Sequence, residues 1–376
     1  MGDADRVVVV RGPGDIALVD VPRERLPAGG LRVETLYTGL SAGTELTWVK
    51  GTNPYLTSSW DPQLGLFRPD APGQGYPVTR LGYMEVGRVV RSDSPAYAEG
   101  QRVAMAYGHK TAHAADPAAE HIVALPEELD PLLGVYVAHM GPICANGLLH
   151  AAADATRGDV HALGDGVRGR TVLVTGAGVV GLFTALFAQQ HGAAAVAVAD
   201  RTPARLAAAE GLGLLTLDEN TVDVAATVKS LWRHGPADHG ADVAFQCRGQ
   251  AASLATALRA LRPQGTVIDL AFYQAGADEV RLGEEFHHNG LGVRCAQIGR
   301  VPRGLAHLWD RRRLSAETLA LLADRGRDIR THLVTDVLAL AEAPDFLLDL
   351  AERRRHTISA VFTVDAPSTC QASRAL

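Results

Sequence analysis

Between Thr171 and Asp200 the chain reads TVLVTGAGVVGLFTALFAQQHGAAAVAVAD, and this stretch narrows the accessible folds more than any other. A β-branched apolar run, Thr171 to Thr175, is followed by Gly176, Gly178 and Gly181 in the spacing G-x-G-x-x-G. An apolar helical stretch then runs to Gly192, a natural left-handed helix cap. A second apolar strand, Ala195 to Ala199, ends on Asp200. The glycine spacing alone is weak evidence. A strand before it, a helix after it and an acid about 20 residues on are the context of a dinucleotide-binding βαβ unit. Each part has a physical task. Gly176 permits the tight turn, and Gly178 lets the backbone approach a pyrophosphate. Gly181 lets helix and strand pack closely, and the helix N-terminus, through Val179 and Val180, faces the anion. Asp200 at the end of the second strand accepts ribose hydroxyls and repels a 2′-phosphate, which favours NAD. Arg201 beside it suits that phosphate, so NADP stays open.

The chain has 376 residues, 47% of them apolar, enough for two domains with real cores. Its formal charge is −6 and it has no basic block, which argues against a nucleic-acid partner. Cys144, Cys247, Cys295 and Cys370 are scattered without a C-x-x-C pair, so neither a disulfide framework nor a zinc knuckle is indicated. The first residues lack the apolar core of a signal peptide, and no window approaches 18 uninterrupted apolar residues. The reading is a soluble cytoplasmic protein with a small-molecule substrate and no membrane partner.

Before the nucleotide unit, residues 6–10, 31–36, 81–91, 101–107 and 121–125 read as short strands between turn signals, a β-rich first domain. An apolar helical stretch from about residue 134 leads into the nucleotide unit. That unit continues with strand Asp242 to Cys247, helix Ala251 to Leu261, strand Gly265 to Phe272 and a sixth strand, Leu291 to Ile298. Beyond about residue 300 the chain turns helical and charged and closes on an apolar strand, Thr357 to Val364. Residues 51–80 form a long irregular segment carrying Tyr55, Trp60, Phe67 and Tyr76 among five prolines and four glycines. Aromatics argue against disorder. A loop packed by its own side chains and a loop that covers substrate both fit.

GPGDIALVDVP near the start, then SAGTEL, LGYMEVGRVV, GQRVAM, TGAGVVG and ALRPQGTVIDL, taken in order, resemble the medium-chain dehydrogenase/reductase superfamily across nearly the whole chain. The SAGTE and GY..VGRV forms are most similar to a branch that includes bacteriochlorophyllide-type dehydrogenases. The resemblance implies an α/β protein with a β-rich GroES-like catalytic domain, residues 1–145. A Rossmann domain with a doubly wound parallel sheet, 146–300, and a C-terminal return to the catalytic domain, 301–376, complete it. It further implies an NAD(P)-dependent oxidoreductase that assembles as a homodimer or tetramer through the sixth-strand edge. Arg205 matches a basic contact to the adenosine ribose, and Phe272 at the end of its strand completes the cofactor set.

The departures from that pattern bear on mechanism. Where zinc members carry Cys in the segment aligned with SAGTEL, Ala42 stands. Where they carry His-Glu, Tyr83-Met84 stand, and the third ligand falls near Gly141 to Cys144. The four cysteines of the structural zinc lobe are absent. Catalytic zinc needs three N, S or O ligands in the right geometry. The expectation is a member without zinc; a rebuilt site from Glu45, His109, His139 or Cys144 is the counter-reading. Without metal, hydrogen-bond donors must stabilise the developing alkoxide and move its proton. Thr44 matches the superfamily's relay hydroxyl, and Tyr83 stands at a lost ligand, as catalyst or as filler. A phenol with its ordinary pKa near 10 needs a cation to act as base, for which Lys50, His109, Lys110 and His139 are candidates. The candidate catalytic set is Thr44, Tyr83, His109 and His139, and Glu45 resembles an acid that organises the site through a distant Arg. His287 and His288, and Cys247 at a strand end, read as structural. The expected reaction is alcohol–ketone interconversion on a bulky or polyhydroxylated substrate: a sugar derivative, a cyclitol or a ring of secondary metabolism. An enoyl reductase and a noncatalytic nucleotide-binding protein are the rivals.

Overall fold

The computed structural model describes residues 4–156 and 158–364, so Cys370 lies outside the described residues. The chain divides into two compact units, Met1–Ala138 with Asp336–Leu376, and His139–Thr335.

The first unit is β-rich. Ala4–Gly12 and Asp15–Pro22 pair as an antiparallel hairpin turned by Gly14, whose φ is +74°. A seven-stranded sheet is centred on Leu31–Gly39, which pairs antiparallel with Glu85–Ser92, Ala112–Ala115 and Ser359–Thr363. Two cores flank it. Leu31, Val33, Val89, Val103 and Met105 pack on one side; Val8, Val10, Leu40, Phe346 and Phe362 belong to the other. The expected strands hold in position but not in length: those at 6–10 and 31–36 are longer, and the others are shorter. Residues 81–84 precede the strand Glu85–Ser92, the next strand is Arg102–Met105, and the one expected over 121–125 is Val123–Ala124. The final strand is Ser359–Thr363.

In the second unit, six parallel strands form one sheet in the order Leu215–Asp218, Ala195–Asp200, Thr171–Thr175, Ala241–Gln246, Leu261–Asp269, Gly292–Cys295. The order reverses between the third and fourth of these, the switch point at which open α/β sheets bind ligands. The strands are buried on both faces and read as apolar runs, as parallel strands must. Helices Val179–Gln190 and Ala251–Ala260 fall where the sequence puts them.

Three expectations are corrected. The fifth strand starts at Leu261 and ends at Asp269, so Phe272 lies in the following loop and is 38% exposed. The sixth strand is Gly292–Cys295 only. The return to the first unit comes at Asp336, not residue 301. The reason lies in the helix Arg311–His332. It buries Leu314, Leu321, Leu322 and Ile329, and Thr318 seats against Gly141, where an added Cβ would fall 2.2 Å from its side chain. Its charged composition hid that apolar stripe. The described residues contain no helix long and apolar enough to cross a membrane.

Candidate active site

The glycine fingerprint of the second unit is built from backbone constraints. Gly176 has φ +101°, a conformation a side chain disfavours. A Cβ on Gly181 would fall 1.8 Å from the Gly176 carbonyl oxygen, so only glycine allows this helix to sit against its strand. A Cβ on Gly178 would meet nothing within 4 Å; the space above it is open. Gly178 is the N-cap of helix Val179–Gln190, and no side chain caps that end. The helix N-terminus therefore presents free donors and the positive end of its dipole beside an uncrowded backbone, which suits a pyrophosphate. A dinucleotide fits these residues: Gly176 to Gly181 would hold its phosphates.

Asp200 is 1% exposed at the end of its strand. Its Oδ2 accepts the Ala177 N–H at 2.9 Å, and its Oδ1 accepts those of Arg201 and Thr202, both at 2.8 Å. Burial by itself would raise this carboxyl. The Ala177 and Thr202 amides and the charge of Arg205, 3.9 Å away, outweigh it and hold the group below the usual carboxylate range. A carboxylate offers about four acceptor sites. Backbone amides take three here and the Thr202 side chain bonds it as well, so a ribose hydroxyl must share or displace one of these contacts. Arg201 is exposed, and Arg205 Nη1 lies 3.9 Å from Asp200 Oδ2. The Phe272 carbonyl closes on Gly249, where a Cβ would lie 2.3 Å from it, so the loops after the fourth and fifth strands abut.

Sequence reading passed over a polar chain at those strand ends. Thr175 Oγ1 donates to Gln246 Oε1 at 2.7 Å, Gln246 Nε2 donates to Tyr273 Oη at 3.0 Å, and Tyr273 donates to Asp269 Oδ2 at 2.8 Å. Burial pushes Asp269 and Tyr273 upward. Their positions just past parallel strand ends were the available signal. Cys144 is buried, donates to the Val180 carbonyl, and burial pushes its thiol up to about 12. Cys247 is likewise raised well above the usual thiol value by burial, consistent with inert packing.

In the first unit, Thr44 lies on the helix Ala42–Val49, whose N-cap is Ser41. The Tyr83 phenol hydrogen-bonds Ser41 Oγ and lies 3.4 Å from Thr44 Oγ1. Thr44 and Tyr83 are thus brought together, as expected, with Ser41 as a third hydroxyl that the sequence did not single out. His109 is not free beside the phenol. It is fully buried, with Nε2 2.6 Å from Glu45 Oε2 and Nδ1 2.6 Å from Thr38 Oγ1. Burial alone would lower the imidazole, but the charge and hydrogen bond of Glu45, with the charge of Glu85, raise it. The partner of Glu45 is therefore this histidine and not a distant arginine. Burial also raises Glu85, against the pull of His109 and the Tyr107 amide. Lys110 is held by Glu24 at 2.8 Å, and Lys50 is exposed beyond the helix. His139 belongs to the other unit, where its Nδ1 meets the Arg311 guanidinium.

The donor set does not fit zinc. Ala42 has no ligand atom, Tyr83 is spent on hydroxyls and Met84 is buried in the core. Glu45 and His109 bind each other. Among the described residues no group of three or more His, Cys, Asp or Glu side chains is arranged to hold a metal ion.

The segment 51–80 orders itself. Pro54–Leu56 forms a short 3₁₀ turn, and Ser59–Asp61 pairs with Leu66–Arg68. Tyr55 and Trp60 each meet Phe67 edge-on, at 5.2 and 5.1 Å between ring centroids, and Tyr55 stacks on Trp48 at 6.4 Å. Trp48 is one helical turn from Thr44, so this array starts on the helix that carries the candidate hydroxyl.

Residues 179–301 match the family described as "Zinc-binding dehydrogenase". The chain is 25% identical over 355 residues to D-guloside 3-dehydrogenase of Escherichia coli K12, spanning 92% of this chain and 96% of that protein. It is 35% identical to mouse sorbitol dehydrogenase over 118 residues, 30% of this chain and 31% of that one. Among solved structures, 2R,3R-butanediol dehydrogenase from Bacillus subtilis has a similar fold, with a TM-score of 0.72 at 18% identity, over 96% of this chain and all of that one.

Proposed function

We infer that this chain, which belongs to the medium-chain dehydrogenase/reductase superfamily and is an NAD(P)-dependent oxidoreductase, interconverts an alcohol and a ketone on a sugar-like, polyhydroxylated substrate. It does so with NAD(H) and without zinc. The observation that carries the reading is the Tyr83 phenol set against Ser41 and Thr44 at a position where zinc members hold their metal. A bound nicotinamide supplies the hydride acceptor or donor. Tyr83 and Thr44 handle the proton of the substrate oxygen. Of the candidate cations in its unit, Lys110 and His109 are engaged by Glu24 and Glu45. Tyr83 therefore acts in its neutral form, as a hydrogen-bond donor that stabilises the developing alkoxide in the reduction direction. In the oxidation direction the alcohol's proton passes to the Tyr83 oxygen as the phenol hands its own proton on through the hydroxyls of Thr44 and Ser41, so the phenol ends as it began.

The sugar-like class follows from the relatives named D-guloside 3-dehydrogenase and sorbitol dehydrogenase, and the aromatic array from Trp48 suits the apolar face of a ring. NAD follows from the ionised Asp200; Arg201 and Arg205 are the groups through which NADP would compete. Assembly through the outer edge of the sheet, where Val293 is 45% exposed on the end strand, would give a homodimer or a tetramer built from it. Light scattering checks this, and a monomer at micromolar concentration rejects it.

The test of the function follows nicotinamide absorbance with polyols and glycosides, ketones and enones in turn. Turnover of alcohols or ketones is expected. Turnover of enones alone would replace the reading with an enoyl reductase, and none at all with a noncatalytic nucleotide-binding protein. Elemental analysis of the active protein should give well below one zinc per chain, with activity intact after chelation. Stoichiometric zinc whose removal abolishes turnover would falsify the zinc-free reading.

A further inference from the structure

His109 has no free nitrogen, and the directions of its hydrogen bonds follow from its partners. The Thr38 hydroxyl donates its one hydrogen to Glu85 Oε1 at 3.0 Å, so it has only lone pairs to offer His109 Nδ1, 2.6 Å away. Nδ1 therefore carries a proton. Nε2 faces the Glu45 carboxylate at 2.6 Å and carries the other. The ring is held between the Glu45 carboxylate and the Thr38 hydroxyl in a fully buried site, with Phe362 edge-on at 5.5 Å.

Two contacts lead from this ring to the hydroxyls. The second oxygen of Glu45, Oε1, accepts the Ser41 N–H at 2.7 Å, which fixes the first turn of the helix carrying Thr44. On the other side, a Cβ at Gly82 would lie 2.9 Å from the His109 ring, so the backbone leading into Tyr83 passes directly over it. Gly82 has φ +94°, and glycine is what permits that approach. One buried side chain thus abuts both segments whose hydroxyls meet, while touching none of those hydroxyls.

We propose that His109 is a positioning residue: bridged to Glu45 and lying under Gly82, it sets the spacing between the Tyr83 phenol and the helix that presents Ser41 and Thr44. The proposal rests on the reading of Tyr83 as the group that handles the substrate proton. A misplacement of about 1 Å in such a site lowers turnover on the order of 10²-fold. Burial of the cluster excludes direct contact of His109 with substrate, so its removal acts on kcat through geometry and leaves cofactor affinity alone.

The test uses the full chain with two variants. His109→Gln combined with Glu45→Gln removes both buried charges together, avoiding a lone buried carboxylate. Thr38→Val removes the acceptor of Nδ1 while keeping the Glu45–His109 pair, and serves if the double variant does not fold. For each, kcat, KM and NAD(H) affinity are measured, and a crystal structure reads the distance from Tyr83 Oη to Thr44 Oγ1. The expected result is a fall in kcat of about 10-fold or more, up to the order of 10²-fold, with KM and NAD(H) affinity close to native and the two hydroxyls drawn apart. Native turnover in a folded variant overturns the proposal. So does a fall in kcat with the hydroxyl spacing unchanged, because the histidine would then act by another route. The spacing also separates this proposal from the function it rests on. If Tyr83→Phe is silent while the His109 variant still parts the hydroxyls, the assignment of the proton to Tyr83 fails and the positioning role stands.

Discussion

The glycine fingerprint of the second unit and the hydroxyl cluster of the first are built on opposite plans. The fingerprint works by absence. Its residues lie within six positions of one another, and each is required because a Cβ would collide, strain the backbone or fill the space a phosphate needs. The hydroxyl cluster works by presence. It needs particular side chains 42, 64 and 71 residues apart, from Ser41–Tyr83, Glu45–His109 and Thr38–His109, joined by buried hydrogen bonds. A site made of backbone is fixed by local sterics. A site made of buried polar side chains is fixed only when every donor and acceptor has its partner, so losing one member perturbs the rest.

The largest test of this contrast is Tyr83→Phe, which keeps the ring and deletes only the hydroxyl. We expect kcat to fall by about 10²- to 10⁴-fold, with NAD(H) binding and thermal stability near native. Turnover close to the native rate would make Tyr83 filler, and a silent Thr44→Val beside it would take the proton route off this cluster altogether. Next comes Gly181→Ala. One methyl group, 1.8 Å from the Gly176 carbonyl oxygen, cannot be accommodated without moving helix from strand. Unfolding in denaturant should report a loss at the upper end of about 1–3 kcal/mol, with nucleotide affinity falling in parallel. An unshifted midpoint would mean that the fingerprint is less rigid than its sterics imply.

Asp200→Ala has a smaller expected effect, because its acceptor sites already serve three backbone amides and the Thr202 side chain. The preference for NAD over NADP should narrow by about tenfold or somewhat more, the worth of one hydrogen bond to a charged group. A native protein that already prefers NADP would assign the choice to Arg201 or Arg205. The smallest effect separates the units by pH. His109 is raised, so the stability it contributes is complete below about pH 6.5 and is lost as pH rises through its folded value. Asp200 and Asp242 are lowered: burial opposes the shift, but backbone amides, joined at Asp242 by Arg262, prevail. Their contribution is present above about pH 3.9 and is lost as pH falls through their folded values. Hydrogen exchange resolved by segment should find residues 38–49 weakening first in alkali and 171–200 first in acid. The reverse order would break the comparison.

The same division governs what could be read in advance. Five of the six strands of the nucleotide unit were legible because parallel strands buried on both faces write themselves as apolar runs, and the G-x-G-x-x-G spacing fixes where the first ends; the short edge strand Leu215–Asp218, with Leu215 exposed, was not read. Phe272 was misread as strand because AFY continues the apolar run past Asp269, although the ladder has already ended. The helix Arg311–His332 was assigned to the wrong unit because its charges dominate its composition, while its membership is decided by four buried apolar side chains. His109 was legible as a titratable residue of the right region, but the partners of its ring were not. Nothing local says that Glu45 and Thr38 occupy both of its nitrogens.

From the sequence alone came the two-domain α/β plan, the dinucleotide turn with its acid, the pairing of Thr44 with Tyr83, and the missing donors at Ala42 and Tyr83-Met84. These are matters of spacing, propensity and residue chemistry, which are properties of short segments. The tertiary structure decided that Asp200 spends its acceptor sites on backbone amides and the Thr202 side chain, that Ser41 joins the hydroxyls, and that His109 and Glu45 pair in the dark beneath Gly82 rather than beside the phenol. Those outcomes depend on which polar groups lose water together, and burial is a property of the folded chain that no single segment carries.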